Sequence, residues 1–204
     1  MHWIWGIVSI ATAGSVYTRA RTAANEIFLT FDDGPDPQYT PSVLELLSRH
    51  GVPATFFLQG ERVERHGSVV TDIVAAGHAL GNHSYSHPHF ENSSLRTQAE
   101  EISRTDELLS RYDGQARHLV RPPHGRATLG TIMLCAWRRQ RIALWNRDSL
   151  DFKLDSAAIV ERFRVAPVKS GDILLFHDDS GIGLEALGQL IPRWQKSGLK
   201  FSTL

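Results

Sequence analysis

Two kinds of block alternate along this chain. Short runs rich in Ile, Phe, Leu and Val end in polar side chains, and between them apolar residues recur every three or four positions. The first pattern predicts strands over 27–31, 54–58, 78–81, 118–120, 141–145, 172–176 and 199–202. The second predicts helices over 40–50, 69–76, 97–112, 127–140, 156–165 and 184–196. Thr40-Pro41 opens the first helix, and Gly51, Gly77 and Gly198 stop three of the helices. No long linker, repeat or low-complexity stretch interrupts the alternation. It therefore argues for one α/β domain with a parallel sheet, and 204 residues suit a small or incomplete barrel.

Composition changes this picture little. Lys plus Arg equals Asp plus Glu, 22 each, so no net charge draws the chain to nucleic acid or to an anionic membrane. The one cysteine, Cys135, excludes an internal disulfide framework and falls in an apolar helical stretch where burial is expected. Residues 1–25 form a separate question, because 3–17 are apolar yet short of the roughly twenty residues that a membrane span needs. Ala11-Thr12-Ala13 resembles a signal-peptide cleavage site, but no cation precedes the run, and Arg19 and Arg21 follow it. The expectation is a layer packed on the domain, with a weak signal or anchor as the alternative. Residues 26–204 make the domain itself, which is expected to be a monomer and soluble in the cytoplasm, with association to the cell envelope as the alternative.

The chemistry sits where the predicted strands stop. Strand 27–31 runs directly into Asp32, Asp33, Gly34 and Pro35. Two adjacent carboxylates repel unless something divides their work, and a cation does so by engaging one and leaving the other free as a base. Alone, such a sequence is as often a solvated turn. But His83 and His87 follow the third strand, Arg121 the fourth, Asp148 and Asp151 the fifth, and His177 the sixth. In a parallel barrel all these ends open on one rim, where active sites sit. A helical turn would bring His83 and His87, four residues apart, to one face. Two imidazoles and the Asp33 carboxylate then suit zinc or a similar divalent ion with a position left open.

Five segments, Thr30-Phe31-Asp32-Asp33-Gly34-Pro35, His83-Ser84-Tyr85-Ser86-His87-Pro88, Arg121-Pro122-Pro123-His124-Gly125, Asp148-Ser149-Leu150-Asp151-Phe152 and Leu175-Phe176-His177, resemble in order the five motifs of the polysaccharide deacetylases. That family is also known as carbohydrate esterase family 4, or the NodB-homology domain. The resemblance implies a distorted (β/α)7 barrel that hydrolyses acyl groups, usually N-acetyl groups, from the amino sugars of a glycan. It implies one divalent ion, Zn2+ foremost with Co2+ or Ni2+ as alternatives, on Asp33, His83 and His87. It makes Asp32 the general base, Arg121 its partner, His177 the general acid and Asp148 the carboxylate that holds that histidine. Leu175 corresponds to the wall of the acyl pocket, and Pro123, His124 and Phe152 to the substrate groove. His124 stands where the family commonly has Tyr, Phe152 where it has Trp, and Asn146 where many relatives carry an acid.

The remaining candidates have plainer readings. Asp151 is expected to make a turn contact and His89 to sit in a loop. Asp178 and Asp179 are expected to cap the next turn. His78 and His118 read as packing or surface residues. Trp3, Trp5, Trp137 and Trp194 read as core. Two rival functions stand against deacetylation: a glycan-binding pseudoenzyme, which would have lost Asp32, His83, His87 or His177, and a hydrolase of non-sugar amides.

Overall fold

The computed structural model describes residues 15–22 and 24–204. Most of the apolar run at 3–17, with Trp3 and Trp5, lies outside the described residues, and so does the expectation that this run packs on the domain.

Strand β2 (Glu26–Asp32) is the axis of the fold, buried along its length after Glu26. A strand buried on both faces must be largely apolar on both, and in Ile27-Phe28-Leu29-Thr30-Phe31 the one polar side chain, Thr30, donates its hydroxyl to the Leu174 carbonyl at 2.7 Å. It pairs in parallel with β3 (Thr55–Leu58) on one side and β8 (Ile173–His177) on the other. From β3 the row continues through β4 (Ala79–Asn82), β5 (Leu119–Val120) and β6 (Ile142–Ala143) to β1 (Val16–Tyr17). From β8 it continues to β7 (Arg147–Asp148). Strands β6 and β7 stand towards opposite ends of this row, yet only residues 144–146 separate them, so that segment closes the ring. The last strand, β9 (Lys200–Phe201), pairs with the start of β2. Every ladder between these strands is parallel, as alternation of strands and helices requires.

Among the described residues, seven helices surround the ring: α1 (Thr40–His50), α2 (Gly60–Arg65), α3 (Gly67–Ala75), α4 (Leu95–Asp113), α5 (Leu129–Trp137), α6 (Ser156–Val165) and α7 (Gly181–Lys196). Local chemistry sets their ends. Helix α1 starts with Pro in its first turn and stops at Gly51, whose left-handed backbone lets its N–H return to Leu47 and Ser48 carbonyls. Ser94, Thr128 and Asp155 accept from the Thr97, Thr131 and Ala158 N–H groups as N-caps. The larger core cluster joins β2, β3 and β8 to α1, α3, α6 and α7, with Phe31 stacked on Phe56 at 4.9 Å. A smaller one, built from Phe90, Ile102, Val120, Ile132, Cys135, Ile142 and Leu144, lies under α4 and α5.

The seven expected strands are all present, and the fifth, β6, is followed after a short break by β7. The hydrophobic pattern does not predict α2, because no capping side chain marks its start at Gly60. Trp194 is buried as expected, but Trp137 is 79% exposed, since α5 is a surface helix that turns Ile132 and Cys135 inward instead.

Candidate active site

Seven strand ends, those of β2 to β8, supply the site. Asp32 closes β2, and Asp33 follows it with φ at 73°, which swings successive carboxylates in different directions. Asp32 is buried, and its Oδ1 accepts from Arg121 Nη1 at 2.6 Å. Arg121 is itself wholly buried. Its guanidinium also donates to the Ala143 and Leu144 carbonyls and to Thr30 Oγ1, and it lies 3.9 Å from the Phe57 ring centroid. Removing one partner of such a pair leaves an uncompensated buried charge, which costs about 3–5 kcal/mol.

Asp33, His83 and His87 each offer one ligand atom within 4.8 Å of the others. His83 Nδ1 lies 2.7 Å from the Arg121 carbonyl, which can only accept, so that nitrogen carries the hydrogen. The other ring nitrogen, Nε2, faces the site 3.5 Å from Asp33 Oδ1, and His87 Nε2 stands 3.4 Å from the same oxygen. Ligands held about 2.1 Å from one centre at tetrahedral angles are about 3.4 Å apart, so these three residues fit a divalent ion such as zinc. Burial pushes the His87 imidazole down to about 4, with the His83 ring adding to the effect, so His87 is neutral as a ligand must be. Burial works to raise the Asp33 carboxyl, but the His83 and His87 rings and the Gln59 amide outweigh it and hold the group below the usual carboxylate range. The Gln59 Nε2 donates to Asp33 Oδ1 at 2.7 Å.

The two histidines are not on a helical turn. Residues 83–89 form a loop in which Ser84 and His87 have φ of 65° and 56°, and that reversal, rather than helical spacing, brings both rings to Asp33.

Across the site, His177 Nε2 lies 3.9 Å from Asp33 Oδ2. Its Nδ1 bonds Asp151 Oδ1 at 2.6 Å, and its backbone N–H donates to Asp151 Oδ2 at 2.8 Å. Burial alone would depress this imidazole, but the Asp151 carboxylate overrides it and lifts the pKa to about 9. The expected Asp148–His177 pair is therefore replaced by Asp151–His177. Asp148 is occupied elsewhere: Oδ1 accepts from the Leu150 N–H and Oδ2 from Trp145 Nε1. That first bond closes a tight turn through Leu150, with φ at 60°, and the turn delivers Asp151 to the histidine.

A cavity of about 430 Å³ lies over these groups, walled by Leu175, Trp145, His124 and Phe152. Phe152 is 69% exposed and meets the His177 ring edge-on at 5.9 Å. Pro123 is buried in the turn that presents His124 and does not line the cavity, a correction to its expected place in the groove. Asp178 does not cap a turn; it is fully buried and accepts from Thr40 Oγ1. His118 bridges the buried Asp106 and the half-buried Asp113 carboxylates, which raise its pKa against burial. Gln59 and Trp145 are absent from the sequence-based candidates, although both stand one or two residues beyond a strand, where the rim rule would have found them.

Comparison with known proteins supports one family. The model for polysaccharide deacetylase matches residues 19–134. A peptidoglycan-N-acetylglucosamine deacetylase of Bacillus cereus is 36% identical over 183 residues, 88% of this chain and 66% of that protein. A chitooligosaccharide deacetylase of Sinorhizobium fredii is 30% identical over 162 residues, 78% of this chain and 75% of that protein. A crystallised peptidoglycan N-acetylglucosamine deacetylase, in complex with a naphthyl N-oxidanyl-benzamide, superposes with a TM-score of 0.91 at 31% identity, covering 98% of this chain and 95% of that one. With its parallel barrel and five ordered rim segments, the chain belongs to the polysaccharide deacetylase family, the carbohydrate esterases of family 4.

Proposed function

We propose that this chain hydrolyses the N-acetyl group of glucosamine residues in a glycan of the peptidoglycan type, using one divalent ion on Asp33, His83 and His87. The observation that carries this reading is the Asp33 carboxylate, with the Nε2 atoms of two imidazoles on one oxygen and the Asp151-held His177 facing the other. An ion bound there would polarise the acetyl carbonyl and make water a stronger acid. Asp32, fixed by Arg121, takes the proton from the attacking water. Leu175 and Trp145 bound the apolar end of the cavity, which suits a methyl group. His177 Nε2 gives its proton to the departing nitrogen. A nitrogen leaving group needs that proton more than an alkoxide does, so an imidazole charged up to about pH 9 favours amides over esters. The glycan is inferred from the relatives, whose named substrates are peptidoglycan and chitooligosaccharides.

Acetate release from peptidoglycan, chitooligosaccharides and acetylated xylan tests this reading, with and without EDTA. Release from the N-acetylated glycans, abolished by EDTA and restored by Zn2+ or Co2+, is expected. Turnover that survives complete removal of metal, or release from xylan alone, would overturn it.

A further inference from the structure

The Ser84 and Tyr85 carbonyls of the loop carrying His83 and His87 accept from the Gly60 and Glu61 N–H groups of α2, but the loop's own N–H groups are held almost entirely by side chains. The Ser84 N–H donates to Asn82 Oδ1 at 3.0 Å, the Tyr85 and Ser86 N–H groups to Glu101 Oε2 at 2.8 and 2.7 Å, and the His87 N–H to Ser84 Oγ at 3.1 Å. Only the His83 N–H uses the backbone, at the Leu58 carbonyl. Ser86 Oγ adds a third bond to Glu101, at Oε1 and 2.9 Å. Asn82 is fully buried and braced behind by the Ile102 carbonyl at 2.8 Å and Asp106 Oδ1 at 2.9 Å. Glu101, Ile102 and Asp106 all belong to α4, so one helix grips the loop at two points.

The grip has something to work against. Ser84 and His87 both adopt left-handed backbone, which costs about 1–3 kcal/mol per residue and persists only where surroundings over-determine it. We propose that Glu101 is a positioning residue for the metal site. Its carboxylate, receiving three donors from the middle of the loop, sets the separation and direction of the His83 and His87 rings before any ion arrives. Glu101 touches neither ligand ring. It acts through the backbone between them, as Arg121 acts on His83 through a carbonyl. This inference rests on the reading that Asp33, His83 and His87 hold the ion.

The test is calorimetric titration of Co2+ into EDTA-stripped wild type, Glu101→Ala, Glu101→Gln, Ser84→Ala and His87→Ala, with the cobalt absorption spectrum reporting coordination. Glu101→Ala should weaken binding about 10–100-fold, the range for loss of a group that orients a ligand. Glu101→Gln should stay within about threefold, because its amide oxygen still accepts the Tyr85 and Ser86 N–H groups and its amide nitrogen can donate to Ser86 Oγ. Ser84→Ala, which deletes the acceptor of the His87 N–H without touching α4, should weaken binding about tenfold and serves if Glu101→Ala fails to fold. Unchanged affinity in Glu101→Ala, or in Ser84→Ala where Glu101→Ala does not fold, overturns the assignment while His87→Ala binds poorly. Equal loss in Glu101→Ala and Glu101→Gln also overturns it, since charge rather than hydrogen-bond geometry would then matter. A wild type that takes up no Co2+ overturns the ligand reading itself and this inference with it.

Discussion

His87 and His177 face the same carboxylate from opposite sides and are driven in opposite directions. Both are partly buried imidazoles beside aspartates, yet burial carries one down to about 4 while the other rises to about 9. Distance and company make the difference. His87 stands 3.4 Å from Asp33, a carboxylate already shared with His83 and Gln59, and has a second imidazole as neighbour. His177 bonds Asp151 at 2.6 Å, and both oxygens of that buried carboxylate are spent on this one residue. A dedicated hydrogen-bonded carboxylate outweighs desolvation, and a shared one does not. The result is a lone pair on one side of the cavity and a proton on the other, which is the division a hydrolase of amides needs.

Breaking the lone-pair side should do the most damage. Asp33→Ala should lose the ion and at least about 10³-fold in kcat, because the ion's polarising effect is worth several kcal/mol. Metal content and acetate release on the same sample check this. Asp32→Asn should keep the ion but lose about 10²–10⁴-fold in kcat, the range for a missing general base. A variant that loses both together would show that Asp32 is a ligand.

Asp151→Asn sharpens the comparison on the proton side. With folded-state pKa raised above the unfolded value of about 6.5, His177 contributes stability that is fully present below that pH and is lost as pH rises through about 9. Activity requires the same protonated form, so kcat/KM for an amide should fall on the alkaline side near 9. Replacing Asp151 removes the strongest opposition to burial and leaves only the more distant Asp32 and Asp33 carboxylates, so the limb should move to lower pH with about 10²-fold loss of kcat at neutrality. Asp148→Asn should leave the limb where it is, because its carboxylate is engaged with Trp145 and Leu150. The smallest effect belongs to Phe152→Ala. An exposed ring edge-on to His177 should change KM by about 2–10-fold and leave the limb unmoved.

The sequence makes the rim legible and its wiring much less so. Strands β2, β3, β4 and β8 are continuous apolar runs ended by polar residues, so their ends, and the residues just beyond them, can be placed from the pattern alone. The direction in which each side chain leaves its turn cannot. Asp148 and Asp151 lie three residues apart in one motif, and only the left-handed Leu150 decides which reaches His177. His83 and His87 have helical spacing, but Ser84 and His87 take left-handed backbone because Asn82 and Glu101 bind the intervening N–H groups. Glu101 is remote in sequence and looks like any surface acid of a helix. The closing segment at 144–146 joins two strands that no local pattern could place towards opposite ends of one row.

The opposite charge states of the two histidines can be measured directly in metal-free protein by following imidazole ¹⁵N shifts of His87 and His177 from pH 4 to 10. His177 should stay doubly protonated through neutrality and titrate near 9, while His87 should remain neutral down to about 4. A His177 that titrates at or below its ordinary value, or a His87 that is protonated at pH 7, would contradict these opposite charge states.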